Sequence, residues 1–309
     1  MNPEQSFGKT RIAPTPSGFL HLGNVLSFAI TATLARRTGA GILLRIDDLD
    51  RERARRKYVQ DIFDTLNFLE IPWDEGPGNY EEYEKQYAQR HRMELYTRAL
   101  QELKDSGKVF ACECSRATVA KTAPDGVYPG TCRNKMIPFG SPDASWRLIT
   151  DPEKRGIVTG PTLPANMKDF VIKKKDGYPA YQLASVVDDQ YFGIDLVVRG
   201  KDLWPSTIAQ HYLSGLLSDH SFQDCGFYHH GLLMTANGGK LSKSEGATSI
   251  RFLRNEGKRR EDIYSLLAAI LEPGETASDY EELAEIAFRW DKFESSSTIS
   301  VISPVIRSI

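Results

Sequence analysis

The stretch RIAPTPSGFLHLGN at residues 11–24, running on into VLSFAITATLARR at 25–37 and GILLRI at 41–46, decides the fold. A short strand enters a Pro/Gly-rich turn, an apolar helix leaves it and ends near Gly39, and a second buried strand follows. Residues 55–69 (RRKYVQDIFDTLNFL) then place Val59, Ile62, Phe63, Leu66 and Leu69 at helical spacing. Strand, helix, strand, helix is the pattern of an α/β fold built on a doubly wound parallel sheet. Ligands of such sheets sit at the carboxyl ends of the strands, so the turn at 13–24 is a candidate site before any motif is considered.

Outward from that stretch, a second helix is expected over about 81–105. Residues 110–166, rich in Cys, Pro, Gly, Thr and Asp with little periodicity, read as an inserted subdomain. The strand–helix rhythm returns with DFVIKKKDG (169–177), AYQLASVVDD (180–189), IDLVVRG (194–200) and the helix LWPSTIAQHYLSGLL (203–217). A strand at FYHHGLL (227–233), the loop TANGGKLSKSEGA (235–247) and a helix at REDIYSLLAAIL (260–271) complete the pattern. The last 35 or so residues, ending ESSSTISVISPVIRSI, carry no legible chemistry.

Composition limits the function. With 39 Lys+Arg against 41 Asp+Glu the formal net charge is −2, which excludes a uniformly basic nucleic-acid coat. No run approaches the roughly 18 apolar residues of a membrane span, and four cysteines are too sparse for a disulfide scaffold, so no membrane partner and a cytoplasmic address are expected.

Three constellations could carry chemistry. In the first turn, Gly18 and Gly23 allow a phosphate to approach the backbone, the helix start offers N–H groups, and His21 supplies a donor, with Asn24 beside it. Alone, this is equally a tight turn with a helix-capping Asn. In the loop at 240–244, Lys240 and Lys243 interleaved with Ser242 and Ser244 can neutralise a triphosphate and follow its charge as pyrophosphate leaves, although such a run can also be a solvated loop. Both loops follow strands of the same expected sheet, the arrangement needed to bracket one nucleotide. Third, Cys112, Cys114 and Cys132 suit Zn²⁺ on an irregular loop, with three reduced buried thiols as the alternative and the fourth ligand left open. Cys225 reads as a plain packed thiol. Basic clusters at 53–57 (RARRK) and 173–175 (KKK), with Arg259 and Arg260, could touch RNA phosphates or simply be solvated.

HLGN at 21–24 and KLSKS at 240–244 resemble the two signature motifs of the class I aminoacyl-tRNA synthetases. RIAPTPSGFLHLG with RIDDLD, AYQLASVVDD and VVRGKDL narrows the resemblance to the glutamyl and glutaminyl branch over roughly residues 9–271. The resemblance implies that the segment Arg11, Ile12, Ala13, Pro14, Thr15 binds the amino acid, that Asp47 binds its ammonium, and that Tyr181 and Arg199 complete a glutamate pocket. It also implies ATP and Mg²⁺ at Gly18, His21, Gly23, Asn24, Lys240, Ser242, Lys243 and Ser244, with His21 and Lys243 catalytic. Read without it, Tyr181 could be a core aromatic, Arg199 a surface pair to Asp202, and Asp47 a strand-end residue. Asp47 stands where the branch usually has Glu, which leaves a direct, water-mediated or absent ammonium contact open.

CxC…YxxxC at 112–132 is similar to the zinc site of the glutamyl-queuosine tRNA(Asp) synthetases, which implies Tyr128 as fourth ligand. The sequence runs about 40 residues past the helix at 261–271, so no anticodon-binding domain is expected. The resemblance thus implies four parts: the first half of a Rossmann-like catalytic domain (1–109), an acceptor-type insertion with the zinc loop (110–178), the second half with the KLSKS loop (179–258), and a helical C-terminal segment (259–309). Its expected partners are L-glutamate and tRNA(Asp) carrying queuosine, and its expected state is a monomer. The rival expectations are a short synthetase charging the tRNA 3′ end, a non-catalytic tRNA-binding paralogue, and an adenylyltransferase for another carboxylic acid.

Overall fold

The computed structural model describes residues 6–123, 126–150, 162–233 and 249–294. The chain begins with β1 (Lys9–Ile12), α1 (Leu22–Thr38), β2 (Gly41–Leu44) and α2 (Arg56–Phe68), the expected alternation. His21 caps α1: its Nδ1 accepts from the Gly23 N–H at 3.1 Å, and Asn24 Oδ1 accepts from the His21 N–H at 3.1 Å. The two side chains thereby satisfy donors that the first helical turn leaves without partners. Gly39 ends the helix at φ 75°, a conformation that a Cβ would strain.

Short helix α3 (Tyr80–Glu82) precedes α4 (Met93–Asp105), β3 (Val109–Cys112), α5 (Arg116–Thr122), β4 (Ser145–Leu148) and β5 (Val171–Lys173). Then come α6 (Tyr181–Tyr191), β6 (Leu196–Gly200), α7 (Trp204–Ser214), β7 (Gly226–His230), α8 (Ile250–Asn255), α9 (Arg260–Leu271) and α10 (Tyr280–Glu294). Strands β2, β1, β6 and β7 form one parallel sheet in that order, with Ile12 opposite Leu44 and Arg199 opposite His229. The chain therefore leaves β1 to one side for β2 and returns on the other side as β6. That reversal opens a crevice at the carboxyl ends of β1 and β6.

Apolar residues cover both faces of this sheet. On one face Val25, Leu26 and Ile30 of α1 join Ile62, Leu66, Leu267 and Leu283. On the other, Leu183 and Val187 of α6 pack with Leu213, Phe227 and Tyr96. Each fully buried Leu or Ile contributes about 1.5–3 kcal/mol, so the sheet is clamped without help from its short strands. Among the described residues no helix is long and apolar enough to cross a membrane.

Two expectations about elements need correction. The helix expected over about 81–105 is broken: residues 83–87 form a π turn and 89–92 a 3₁₀ turn before α4 begins. Buried Asp48 is the cause, because it accepts from the Tyr83 hydroxyl at 2.9 Å and from the Gln89 N–H at 2.8 Å, bonds a straight helix could not provide together. The strand in DFVIKKKDG does not rejoin the parallel sheet. β5 pairs antiparallel with β4, which pairs antiparallel with β3, giving a separate three-stranded sheet.

Candidate active site

The crevice is a cavity of about 370 Å³ that gathers most of the expected site. The turn after β1 supplies Arg11, Ile12, Ala13, Pro14, Thr15, Gly18, His21, Gly23 and Asn24; Asp47 follows β2, Tyr181 opens α6 and Arg199 lies on β6. Lys240, Ser242, Lys243 and Ser244 lie outside the described residues, between β7 and α8 in the sequence.

His21 reaches the cavity because of its capping role. A Cβ at Gly23 would sit only 3.1 Å from the His21 ring, so glycine lets the ring lie against the first turn. With Nδ1 accepting from a backbone N–H, the neutral ring carries its proton on Nε2, which makes that nitrogen a donor.

The cavity wall is charged in an ordered way. Arg45 grips Asp47 at both carboxylate oxygens, Nε to Oδ1 at 2.8 Å and Nη2 to Oδ2 at 3.2 Å. Its Nη1 also donates to Asp189 Oδ1 at 2.6 Å, and the same oxygen accepts from Arg11 Nε at 3.3 Å. One step behind, Asp188 accepts from Arg92 at 2.7 and 3.1 Å, from the Tyr96 hydroxyl at 2.7 Å and from Gln89 at 2.9 Å. Burial opposes ionisation of Asp188, but Arg45 and Arg92 outweigh it and hold its carboxyl below the usual range. At Asp47 burial wins over Arg45 and pushes the carboxyl up.

Acid and base therefore pair off as Arg11 with Asp189, Arg45 with Asp47, and Arg92 with Asp188, which leaves Arg199 over. Arg199 is only 4% exposed; its Nη1 donates to Gln210 Oε1 at 2.8 Å, its Nη2 donates to the Thr207 hydroxyl, and its Nε has no hydrogen-bond partner among the described residues. Burial, with Arg11 nearby, pushes its pKa down, so a buried guanidinium held by neutral groups faces the cavity. It is not a surface pair to Asp202, and Tyr181, 43% exposed at the cavity edge, is not a core aromatic.

The three cysteines also converge. Their sulfurs all lie within 4.8 Å of one another, with Cys114 and Cys132 at 3.6 Å. Tyr128 Oη is 3.4 Å from Cys112 Sγ and accepts from the Cys132 N–H at 2.9 Å. A tetrahedral zinc with Zn–S bonds of about 2.3 Å requires sulfurs roughly 3.7 Å apart, and an oxygen ligand about 3.5 Å from a sulfur, so this donor set fits Zn²⁺. Cys225 is a buried packed thiol, as read.

Sequence reasoning gave no role to Arg45, Asp188, Asp189 or His230. His230 donates from Nδ1 to the Gly231 carbonyl at 2.8 Å, which leaves Nε2 as a buried acceptor at the cavity wall with no partner among the described residues. The available signal for the aspartates was the pair of adjacent acids in VVDD, at the end of an otherwise apolar helix.

Residues 9–124 and 149–298 match the family described as tRNA synthetases class I (E and Q), catalytic domain. The chain belongs to that family. It is a ligase of the aminoacyl-tRNA synthetase type. Among its class I synthetase relatives, a glutamyl-Q tRNA(Asp) synthetase from Geobacter sulfurreducens is 39% identical over 273 residues, covering 84% of this chain and 82% of the relative. Another of that name, from Symbiobacterium thermophilum, is 36% identical over 283 residues, covering 84% of each. A glutamate–tRNA ligase from Anaeromyxobacter is 32% identical over 316 residues, but this chain covers 64% of its length. The crystal structure of a glutamate–tRNA synthetase from Elizabethkingia anophelis superposes with a TM-score of 0.68 at 21% identity, over 91% of this chain and 65% of that one. At that identity the likeness speaks for the class I synthetase fold, the parallel sheet and crevice described above.

Proposed function

We propose that this chain activates L-glutamate with Mg·ATP to glutamyl-adenylate without needing tRNA, and transfers the glutamyl group to the queuosine base at the anticodon wobble position of tRNA(Asp). The observation that carries the first half is Arg199, a buried cation lacking an acidic partner among the described residues and beside a second arginine, which calls for an anionic ligand. The second half rests on the relatives named for that transfer.

In this reading Arg199 and Arg11 hold the side-chain carboxylate of glutamate, because a guanidinium matches a carboxylate in charge and shape. Asp47 receives the ammonium: Arg45 occupies one lone pair on each carboxylate oxygen and leaves another on each. Tyr181 closes the edge. The free α-carboxylate then attacks the α-phosphate in line and pyrophosphate departs; a hydroxyl of the queuosine cyclopentene ring next attacks the carbonyl of the mixed anhydride, the acyl–phosphate bond breaks, and AMP leaves with the hydroxyl proton passing to solvent. His21, donating from Nε2, and Lys243 meet phosphate charge, while Lys240, Ser242 and Ser244 complete the cradle with Gly18, Gly23 and Asn24. Catalysis by positioning and charge needs no protein nucleophile. Magnesium would neutralise charge on the nucleotide phosphates. Zinc, held by Cys112, Cys114, Tyr128 and Cys132, would staple the loop beside the three-stranded sheet.

Glutamate-dependent ATP–pyrophosphate exchange in the absence of tRNA, with aspartate and glutamine as controls, tests this function. Exchange with glutamate alone, followed by labelling of tRNA(Asp) only when it carries queuosine, is the expected outcome. The similarity to glutamate–tRNA ligases favours one second reading, charging of the tRNA 3′ end. That reading requires the 3′-terminal adenosine, so tRNA(Asp) trimmed of that nucleotide would cease to be a substrate, whereas the proposed reaction would continue.

A further inference from the structure

Arg147 on β4 is a buried arginine, and its surroundings are those of the cysteine cluster rather than of the catalytic cavity. Its Nε donates to Cys112 Sγ at 3.3 Å, and its guanidinium carbon lies 3.7 Å from the centroid of the Tyr128 ring. Its Nη1 is anchored on the Asp169 backbone carbonyl at 2.8 Å. The Asp169 carboxylate is already used by the Thr150 N–H at 2.9 Å, the Thr150 hydroxyl at 3.0 Å and Arg133 at 3.6 Å. Arg147 thus meets sulfur and an aromatic face where a buried arginine ordinarily meets a carboxylate.

Charge explains the arrangement. Three thiolates around a divalent cation leave a net negative charge, and ionisation of the tyrosine hydroxyl adds another. A site this buried tolerates that charge only with a counter-cation. We propose that Arg147 is the positioning residue of the metal site: it supplies the counter-charge, fixes the Cys112 sulfur through Nε–H, and holds the Tyr128 ring through its guanidinium face so that the phenol oxygen points at the metal. A planar guanidinium can do both at once; an ammonium can supply the charge but not the fork and the stack. Removal of partners that orient ligands typically weakens metal binding about 10–100-fold.

This inference rests on the zinc reading, and the test separates the two. Purified parent, Arg147→Gln and Arg147→Lys are titrated with zinc in competition with a chromophoric chelator. Each is also loaded with Co²⁺ to record the ligand-field spectrum and the near-ultraviolet band that tyrosinate has and tyrosine lacks. The parent binds one zinc; Arg147→Gln binds it about 10–100-fold more weakly with an altered cobalt spectrum; Arg147→Lys falls between. The double variant with Tyr128→Phe loses less than the sum of the single losses, because ring and guanidinium act as a unit. A parent that binds no zinc overturns the zinc reading and this inference together. Parental affinity and spectrum in Arg147→Gln overturn the inference alone, and if that variant does not fold, the same result in Arg147→Lys does so.

Discussion

Asp189→Asn removes one negative charge from the point where two strands of the parallel sheet are tied together. The carboxylate is fully buried, and a single oxygen serves Arg45 at 2.6 Å and Arg11 at 3.3 Å. Asparagine keeps the shape and a carbonyl acceptor but not the charge. Arg45 then still has Asp47 and, at 3.9 Å, Asp188. Arg11, only 6% exposed, is left with the Val198 carbonyl at 3.3 Å. Breaking a buried ion pair on one side costs about 3–5 kcal/mol, and the retained acceptor puts this case near the lower end, about 3 kcal/mol. Urea unfolding followed by circular dichroism measures it as a lower midpoint at unchanged slope. The variant also exposes an additional uncompensated guanidinium to the cavity, so sulfate should stabilise it more than the parent. A loss below about 1 kcal/mol, with the parental response to sulfate, would refute the claim that Asp189 holds the two arginines in place.

Three further outcomes are expected. Arg199→Met raises the glutamate KM in pyrophosphate exchange by more than about 100-fold, while apo stability shifts by no more than about 1–2 kcal/mol, because release of an unpaired buried cation offsets the hydrogen bonds lost to Gln210 and Thr207. Lys243→Ala slows adenylate formation far more than it weakens glutamate binding, seen by comparing single-turnover rates with equilibrium titration; equal losses would contradict its assigned role. Burial, then Arg199, lowers His229 to about 3 from an ordinary value of 6.5, so below pH 6.5 the unfolded chain takes up a proton that the folded chain refuses. Stability from this group is thus intact above pH 6.5 and falls by about 2 kcal/mol by about pH 5, a slope that His229→Asn should remove from denaturation curves.

Residue type and spacing made the scaffold legible where apolar content is strong. Val25 to Ala35 read as a helix because nearly every face of it is buried, and β2 read as a strand from four apolar letters between turns. The cavity followed, since a turn after a strand in such a sheet has only one place to be. What stayed hidden was set by burial of charge. Nothing in the letters around Tyr83 to Arg92 announces that Asp48 will draw in Tyr83 and Gln89 and break the helix between them. Likewise Asp188 and Asp189 read as two acids at a helix end until their arginine partners, contributed from near residues 11, 45 and 92, arrive through the fold. Short β5 misled for another reason. A three-residue strand carries too little pattern to choose between a parallel and an antiparallel neighbour.

The chain of contacts running from Arg92 and Tyr96 through Asp188 and Arg45 to Asp47 has an evolutionary consequence. Neither Arg92 nor Tyr96 borders the cavity, yet each fixes a group that fixes the cavity wall. The mutational target for amino-acid selectivity is therefore larger than the set of residues a substrate could touch. A library screened for acceptance of a different amino acid should return variants at 92 and 96 as well as at 11, 47 and 199, and a library confined to the wall would miss them.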